Sequence, residues 1–295
     1  MEKAEQPKNR SLLLAIDAGN TNITFGLFHG EIIIHQWRIQ SDSEKTSDEY
    51  GIELEQILRH FHYTREMICA VILSSVVPEL VHQMSAMSER FLKLTPMIVG
   101  EGTKTGLPLR VDNPREVGSD RIADAVAGYA LYGGPLIIID IGTAITHEVV
   151  NEQGEYIGGT ISPGIGIAAA ALTRGTSKLP RVELTQPERI IATNTVNAMQ
   201  AGLVRGFIGL IDGITEGILA ELKEQTDKKP HVIATGGFST LLSQHSKYVD
   251  GVKRDLNLLG LRLIYYRTMK ARANERLREE KEHDMHHGQE GNQHA

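Results

Sequence analysis

Two stretches of the same build constrain this chain more than any other feature. Leu12-Leu13-Leu14-Ala15-Ile16 runs into Asp17, with Gly19 two positions on, and Leu136-Ile137-Ile138-Ile139 runs into Asp140, with Gly142 two positions on. Both continue alike. Thr24 to Phe28, a turn at His29-Gly30 and Ile32 to Ile39 follow the first; Thr146 to Val150, a turn at Asn151 to Gly154 and Tyr156 to Ile161 follow the second. Each copy reads as strand, tight turn, strand. A glycine in the turn lets a ligand approach the backbone. The Asp can hold a hydrated cation, while Thr and Asn side chains and backbone N–H groups can face phosphate oxygens. One such unit is an ordinary hairpin turn. Two units predict a duplicated domain, whose paired loops can clasp a triphosphate from both sides of a cleft.

The rest of the chain fits that duplication. Thr46-Ser47-Asp48-Glu49 resembles a capping box, and Ile52, Leu54, Ile57, Leu58 and Phe61 give a helical stripe. Met67 to Leu73 reads as a buried strand, Pro78 opens a helix to about Leu92, and Met97 to Val99 is a short strand. The order β-β-β-α-β-α-β is that of a ribonuclease-H-like domain. The paired loops resemble those of the actin, sugar-kinase and heat-shock chaperone ATPases. The expected fold is therefore α/β: two duplicated ribonuclease-H-like (actin-like ATPase) domains with a cleft between them. Their expected limits are 11–115 and 116–270, after a solvated lead-in at 1–10 and before a disordered tail at 271–295 that carries His283, His286, His287 and His294.

Composition narrows the function classes. The 295 residues are 41% hydrophobic and 23% charged, enough for two real cores. A formal net charge of −6 without a basic cluster argues against nucleic acid or an anionic membrane surface as partner. The apolar run before Asp17 is too short for a signal peptide, and none approaches a membrane span, so a cytoplasmic protein is expected. The single cysteine, Cys69, lies in the apolar run Ile68 to Leu73 and reads as a buried structural thiol.

Further motifs accompany the two loops. Gly118-Ser119-Asp120-Arg121 precedes Ile122, Ala125, Val126 and Tyr129 at helical spacing, which places it at a helix N-terminus. Free N–H groups and the helix dipole there attract an anion; equally, Ser119 or Asp120 could be a plain cap. Gly158-Gly159-Thr160-Ile161-Ser162-Pro163-Gly164-Ile165-Gly166 demands close backbone contacts, from a ligand, a partner subunit or helix–sheet packing. Asn194-Thr195 opens a long helical pattern, and Leu256 to Tyr266 forms a last amphipathic helix. Thr235-Gly236-Gly237 ends a strand in a turn that could let an adenosine lie against backbone.

Taken in order, these motifs resemble the type III pantothenate kinases over roughly residues 12–265. The resemblance implies phosphorylation of pantothenate by ATP with Mg²⁺, the first step of coenzyme A synthesis, by a homodimer that needs a monovalent cation, K⁺ or NH₄⁺. It assigns ATP to the loop Asp17, Ala18, Gly19, Asn20, Thr21, Asn22, Ile23 and Thr24, with Asp17 near the magnesium, and to Thr143. It assigns pantothenate to Gly118, Ser119, Asp120 and Arg121, with Asp120 as the base, and to Thr195 across the dimer interface. Asp140 would hold the monovalent cation. Chemistry agrees, because phosphoryl transfer needs positioning and charge neutralisation, and an attacking alcohol needs a proton acceptor.

The chain departs from the family pattern at two places. Gly142-Thr143-Ala144-Ile145-Thr146-His147-Glu148 stands where the family shows Gly-Thr-Ala-Thr-Thr, an aromatic and Asp, and Ala192-Thr193 replaces a Gly and a basic residue. Two other readings share the fold: a kinase or phosphatase for another substrate, and a non-catalytic transcription accessory factor, which the intact Asp17, Asp120, Arg121 and Asp140 set argues against.

Overall fold

The computed structural model describes residues 11–100 and 102–290, with side chains as far as Glu279. The 1–10 lead-in, His294 and the side chains of His283, His286 and His287 lie outside the described residues. In the first half, β1 (Leu12–Ala18), β2 (Asn22–His29) and β3 (Ile32–Gln40) form the expected antiparallel meander. Helix α1 (Ser47–His60), β4 (Ile68–Ser75), α2 (Pro78–Met87) and the short β5 (Met97–Ile98) complete a sheet of order β3-β2-β1-β4-β5. β1 is central and covered on both faces, so Leu12 to Ile16 are all buried and the strand reads as a continuous apolar run. The capping box holds: Glu49 N–H donates to Thr46 Oγ1 and Thr46 N–H to Glu49 Oε2, which stabilises α1 by about 1 kcal/mol.

The second half repeats the plan. After α3 (Ser119–Tyr132) come β6 (Leu136–Ile141), β7 (Ala144–Val150), β8 (Tyr156–Pro163), α4 (Ile165–Gly175), α5 (Thr195–Lys223), β9 (His231–Thr235), α6 (Ser239–Ser243), β10 (Gly251–Val252) and α7 (Leu256–Glu290). The sheet order β10-β9-β6-β7-β8 puts β6 where β1 sits in the first sheet. Each half thus has a central strand flanked by one antiparallel and one parallel neighbour.

Helices α3 and α7 fill the space between the two sheets. One core joins Leu13, Ala15 and Ile72 of the first sheet, Ala123 and Ala127 of α3, Leu261 and Ile264 of α7, and Leu136 and Ile138 of the second. A Cβ on Gly260 would lie 1.9 Å from the carbonyl oxygen of Ala123, so only glycine lets α7 cross α3 this closely. Outer cores lie under α1 and α2 on one side and under α4, α5 and α6 on the other.

Two expectations are corrected. Cys69 is exposed, not buried. Leu12 pairs with Ile68 and Leu13 with Ala70, so Cys69 is the extra residue of a bulge and leaves the buried face. The last helix does not end near Tyr266: α7 continues to Glu290. Ala271, Arg272, Ala273, Glu275, Arg276 and Leu277 are strong helix formers, which propagate the helix although nearly all of this stretch is exposed.

Candidate active site

The two Asp-x-Gly units are placed identically by their sheets. Asp17 pairs with Thr24 on the antiparallel side and Ser74 on the parallel side; Asp140 pairs with Thr146 and Thr235 in the same way. Both turns are closed by a backbone bond, Gly19 N–H to Asn22 C=O at 3.0 Å and Gly142 N–H to Ala144 C=O at 2.9 Å. The turns meet, with Thr21 Oγ1 and Thr143 Oγ1 2.8 Å apart. Asn20, Thr21, Asn22 and Thr143 are exposed, free to face a ligand. Ala18 and Ile23 are fully buried in the first outer core, so they offer only backbone groups. Ile145 is likewise fully buried against α5, because β7 alternates and turns Thr146 and Glu148 to the opposite face.

Helix α3 delivers the third motif. Gly118 is its N-cap, which places Ser119 and Asp120 in the first turn of the helix. A Cβ at Gly118 would come within 2.4 Å of Asp120 Oδ1. Ser119 Oγ lies 2.9 Å from Ser74 Oγ, tying the helix start to the end of β4. Asp120 Oδ1 accepts from Arg121 N–H at 2.8 Å, and Asn257 of α7 donates to the Asp120 carbonyl at 3.1 Å. The helix N-terminus, with its positive dipole end, therefore opens beside the two strand-end carboxylates.

Electrostatics bind the three motifs into one site. Burial pushes Asp17 up to about 8, and the Asp120 and Asp140 charges add to that, against a hydrogen bond from Ser74. Burial pushes Asp140 up to about 7, again with help from Asp120. Three carboxylates from β1, α3 and β6 thus lie close enough to repel one another, and a cation among them removes that cost. Among the described residues no three His, Cys, Asp or Glu side chains form a ready-made metal cage. Gly236 has φ +89°, and a Cβ there would fall 2.2 Å from Asp140 Oδ1, so the β9 turn is also shaped to this carboxylate.

Two acidic residues of the site were not foreseen. Asp124 is buried, and its carboxyl is pushed well up, first by burial and then by Asp140 and Glu148. Glu148 is fully buried and pushed up to about 8, chiefly by burial. Spacing places Asp124 on the Asp120 face of α3, one turn on, and Glu148 on the Thr146 face of β7, but does not show that these faces meet. Thr195 is not gathered here. It is exposed at the start of α5, which packs on the far face of the second sheet from α3.

The sequence model of the type III pantothenate kinase family matches residues 13–217. The chain is 47% identical over 259 residues to a type III pantothenate kinase of an Exiguobacterium species, covering 88% of this chain and 100% of that one. It is 48% identical over 256 residues to that of Geobacter sulfurreducens, covering 87% and 99%.

The chain belongs to the type III pantothenate kinase family.

Among solved structures, a Baf family transcriptional activator from Campylobacter jejuni matches with TM-score 0.53 and 17% identity over 88% of this chain and 99% of that one. The ethanolamine utilization protein EutJ from Carboxydothermus hydrogenoformans matches with 0.52 and 16%, over 88% and 92%. At these identities the likeness is one of fold, shared by this pantothenate kinase family member and its neighbours. No helix among the described residues is long and apolar enough to cross a membrane.

Proposed function

We propose that this protein transfers the γ-phosphoryl group of ATP to pantothenate, giving 4'-phosphopantothenate, the first step of coenzyme A biosynthesis. The observation that carries the reading is the convergence of Asp17, Asp120 and Asp140 beneath two glycine turns joined through Thr21 and Thr143, in a chain of this family. The turn from Asp17 to Thr24 and Thr143 hold the ATP phosphates, with Asp17 toward the magnesium. Gly118 to Arg121 bind pantothenate. Asp120 accepts the proton of the substrate hydroxyl while its oxygen attacks the γ-phosphorus; the bond to the β-phosphate oxygen breaks and ADP leaves. Magnesium, when bound, neutralises charge on the phosphates. Asp140 is the residue for a monovalent cation, potassium or ammonium.

Thr195 then serves the site of a second copy across a two-fold interface. Ile190 is 70% exposed, Ile191 86% and Val196 41%, apolar side chains on either side of Thr195 in sequence that a second copy would cover. Light scattering that finds a fully active monomer would remove this part. The whole reading is tested by a coupled assay with ATP and pantothenate, in potassium and in sodium at equal ionic strength, beside a panel of other alcohols. Selective turnover of pantothenate, stronger in potassium, is expected. Turnover of another alcohol alone would overturn it, and equal rates in both salts would remove the cation from Asp140.

A further inference from the structure

We infer that Glu148 is a positioning residue, whose buried carboxyl group aims the Arg121 guanidinium at the substrate side of the α3 N-terminus. Only its kinetic consequence rests on the pantothenate kinase reading. Arg121 Nε donates to Glu148 Oε1 at 3.3 Å, and the hydroxyl of Thr146 donates to the same oxygen. The guanidinium carbon lies 5.8 Å over the ring of Tyr156. A Cβ at Gly159 would fall 1.7 Å from the His147 carbonyl oxygen and 3.3 Å from Arg121 Nη2, so β8 carries no side chain where the guanidinium passes. β7 and β8 thus engage the inner edge and one face of the guanidinium. Its side chain is 17% exposed while that of Glu148 is 0%.

Stability alone does not account for this arrangement. A buried polar pair of this kind is often no better than apolar residues of equal size. This one is also incomplete: Glu148 Oε2 is buried with no hydrogen-bond partner among the described residues, as is Asp124 Oδ1 on the facing helix. An orphaned carboxyl oxygen is costly. What the pair secures is direction. With Nε engaged and one face on Tyr156, the terminal nitrogens keep a fixed aim, and a fork of N–H donors recognises a carboxylate or phosphoryl group only when it is aimed.

Two variants separate aim from bulk. Glu148→Met fills the space without an acceptor, and Glu148→Gln keeps an acceptor oxygen for Nε. The Met variant is expected to raise KM for pantothenate about tenfold, with kcat and KM for ATP within about threefold, and the Gln variant to restore most of the loss. In an Arg121→Ala background, Glu148→Met should add nothing, because its effect runs through the guanidinium. A second readout needs no substrate: the ¹H–¹⁵N signal of Arg121 Nε, assigned by its loss in Arg121→Lys, should move to the free-arginine position in Glu148→Met and stay near its place in Glu148→Gln. An unmoved Nε signal in folded Glu148→Met, or equal kinetic losses with and without Arg121, overturns the inference. If the wild type ignores pantothenate, the functional reading fails and the Nε signal still decides the role of Glu148.

Discussion

Asp120 shows how a single residue acquires a role from its surroundings. Its carboxylate sits in the first turn of α3, oriented by Gly118 and by its bond to Arg121 N–H, while Asp17 and Asp140 face it from two sheets. Asn in its place keeps shape and loses the proton acceptor. Asp120→Asn is expected to lower kcat about 10²–10⁴-fold without loss of fold, because the amide keeps an acceptor oxygen for Arg121 N–H and brings no charge beside Asp17 and Asp140. Near-normal steady-state turnover would leave Asp120 as a structural residue of the helix start.

At the scale of elements, the turn after β9 is the most sensitive piece of backbone. Gly236 stands at φ +89°, and an added Cβ would meet Asp140 Oδ1 at 2.2 Å and the Ile141 backbone at 2.7 Å. Neither the φ nor the contact suits any other residue, and the Ile141 backbone cannot swing aside as a side-chain tip could. Gly236→Ala is therefore expected to destabilise the protein by about 1–3 kcal/mol in urea unfolding and to weaken ATP binding together with it. An unchanged unfolding midpoint would mean that the turn relaxes freely.

The whole molecule carries a pH signature. Asp17 at about 8, Asp140 at about 7 and Glu148 at about 8 all stand above their ordinary values of 3.8, 3.8 and 4.5. The folded protein keeps protons there that the unfolded chain has released, so stability falls as pH rises through that window and levels off above it. His147 works the other way. Burial lowers it from 6.5 to about 4, so its contribution is lost as pH falls between those values. The two trends oppose each other below pH 6.5, which leaves the range from 6.5 to about 8 as the clean one. The melting temperature without metal should fall across that range. Magnesium should raise it more at the alkaline end, since the cation competes with protons for the same carboxylates. A melting temperature that rises with pH there, or a magnesium effect independent of pH, would contradict the carboxylate cluster.

The sequence by itself determined the duplication and most of the elements. The runs before Asp17 and Asp140 are apolar throughout because central strands covered on both faces admit nothing else, and the turn glycines mark where backbone must bend. Thr46 with Glu49 and Pro78 fixed two helix starts through local hydrogen bonding and the fixed φ of proline. Ordered motifs then carried the family. Tertiary structure alone decided what depends on contacts between distant segments: that the turns touch through Thr21 and Thr143, that Ala18 and Ile23 turn inward, that a bulge exposes Cys69, and that Asp124 and Glu148 join the acidic group. Periodicity tells which residues share a face of one element. It does not tell which other element will face them, and in this protein the charges that set the site's chemistry come from β1, α3, β6 and β7, which meet only once two sheets have packed on α3 and α7.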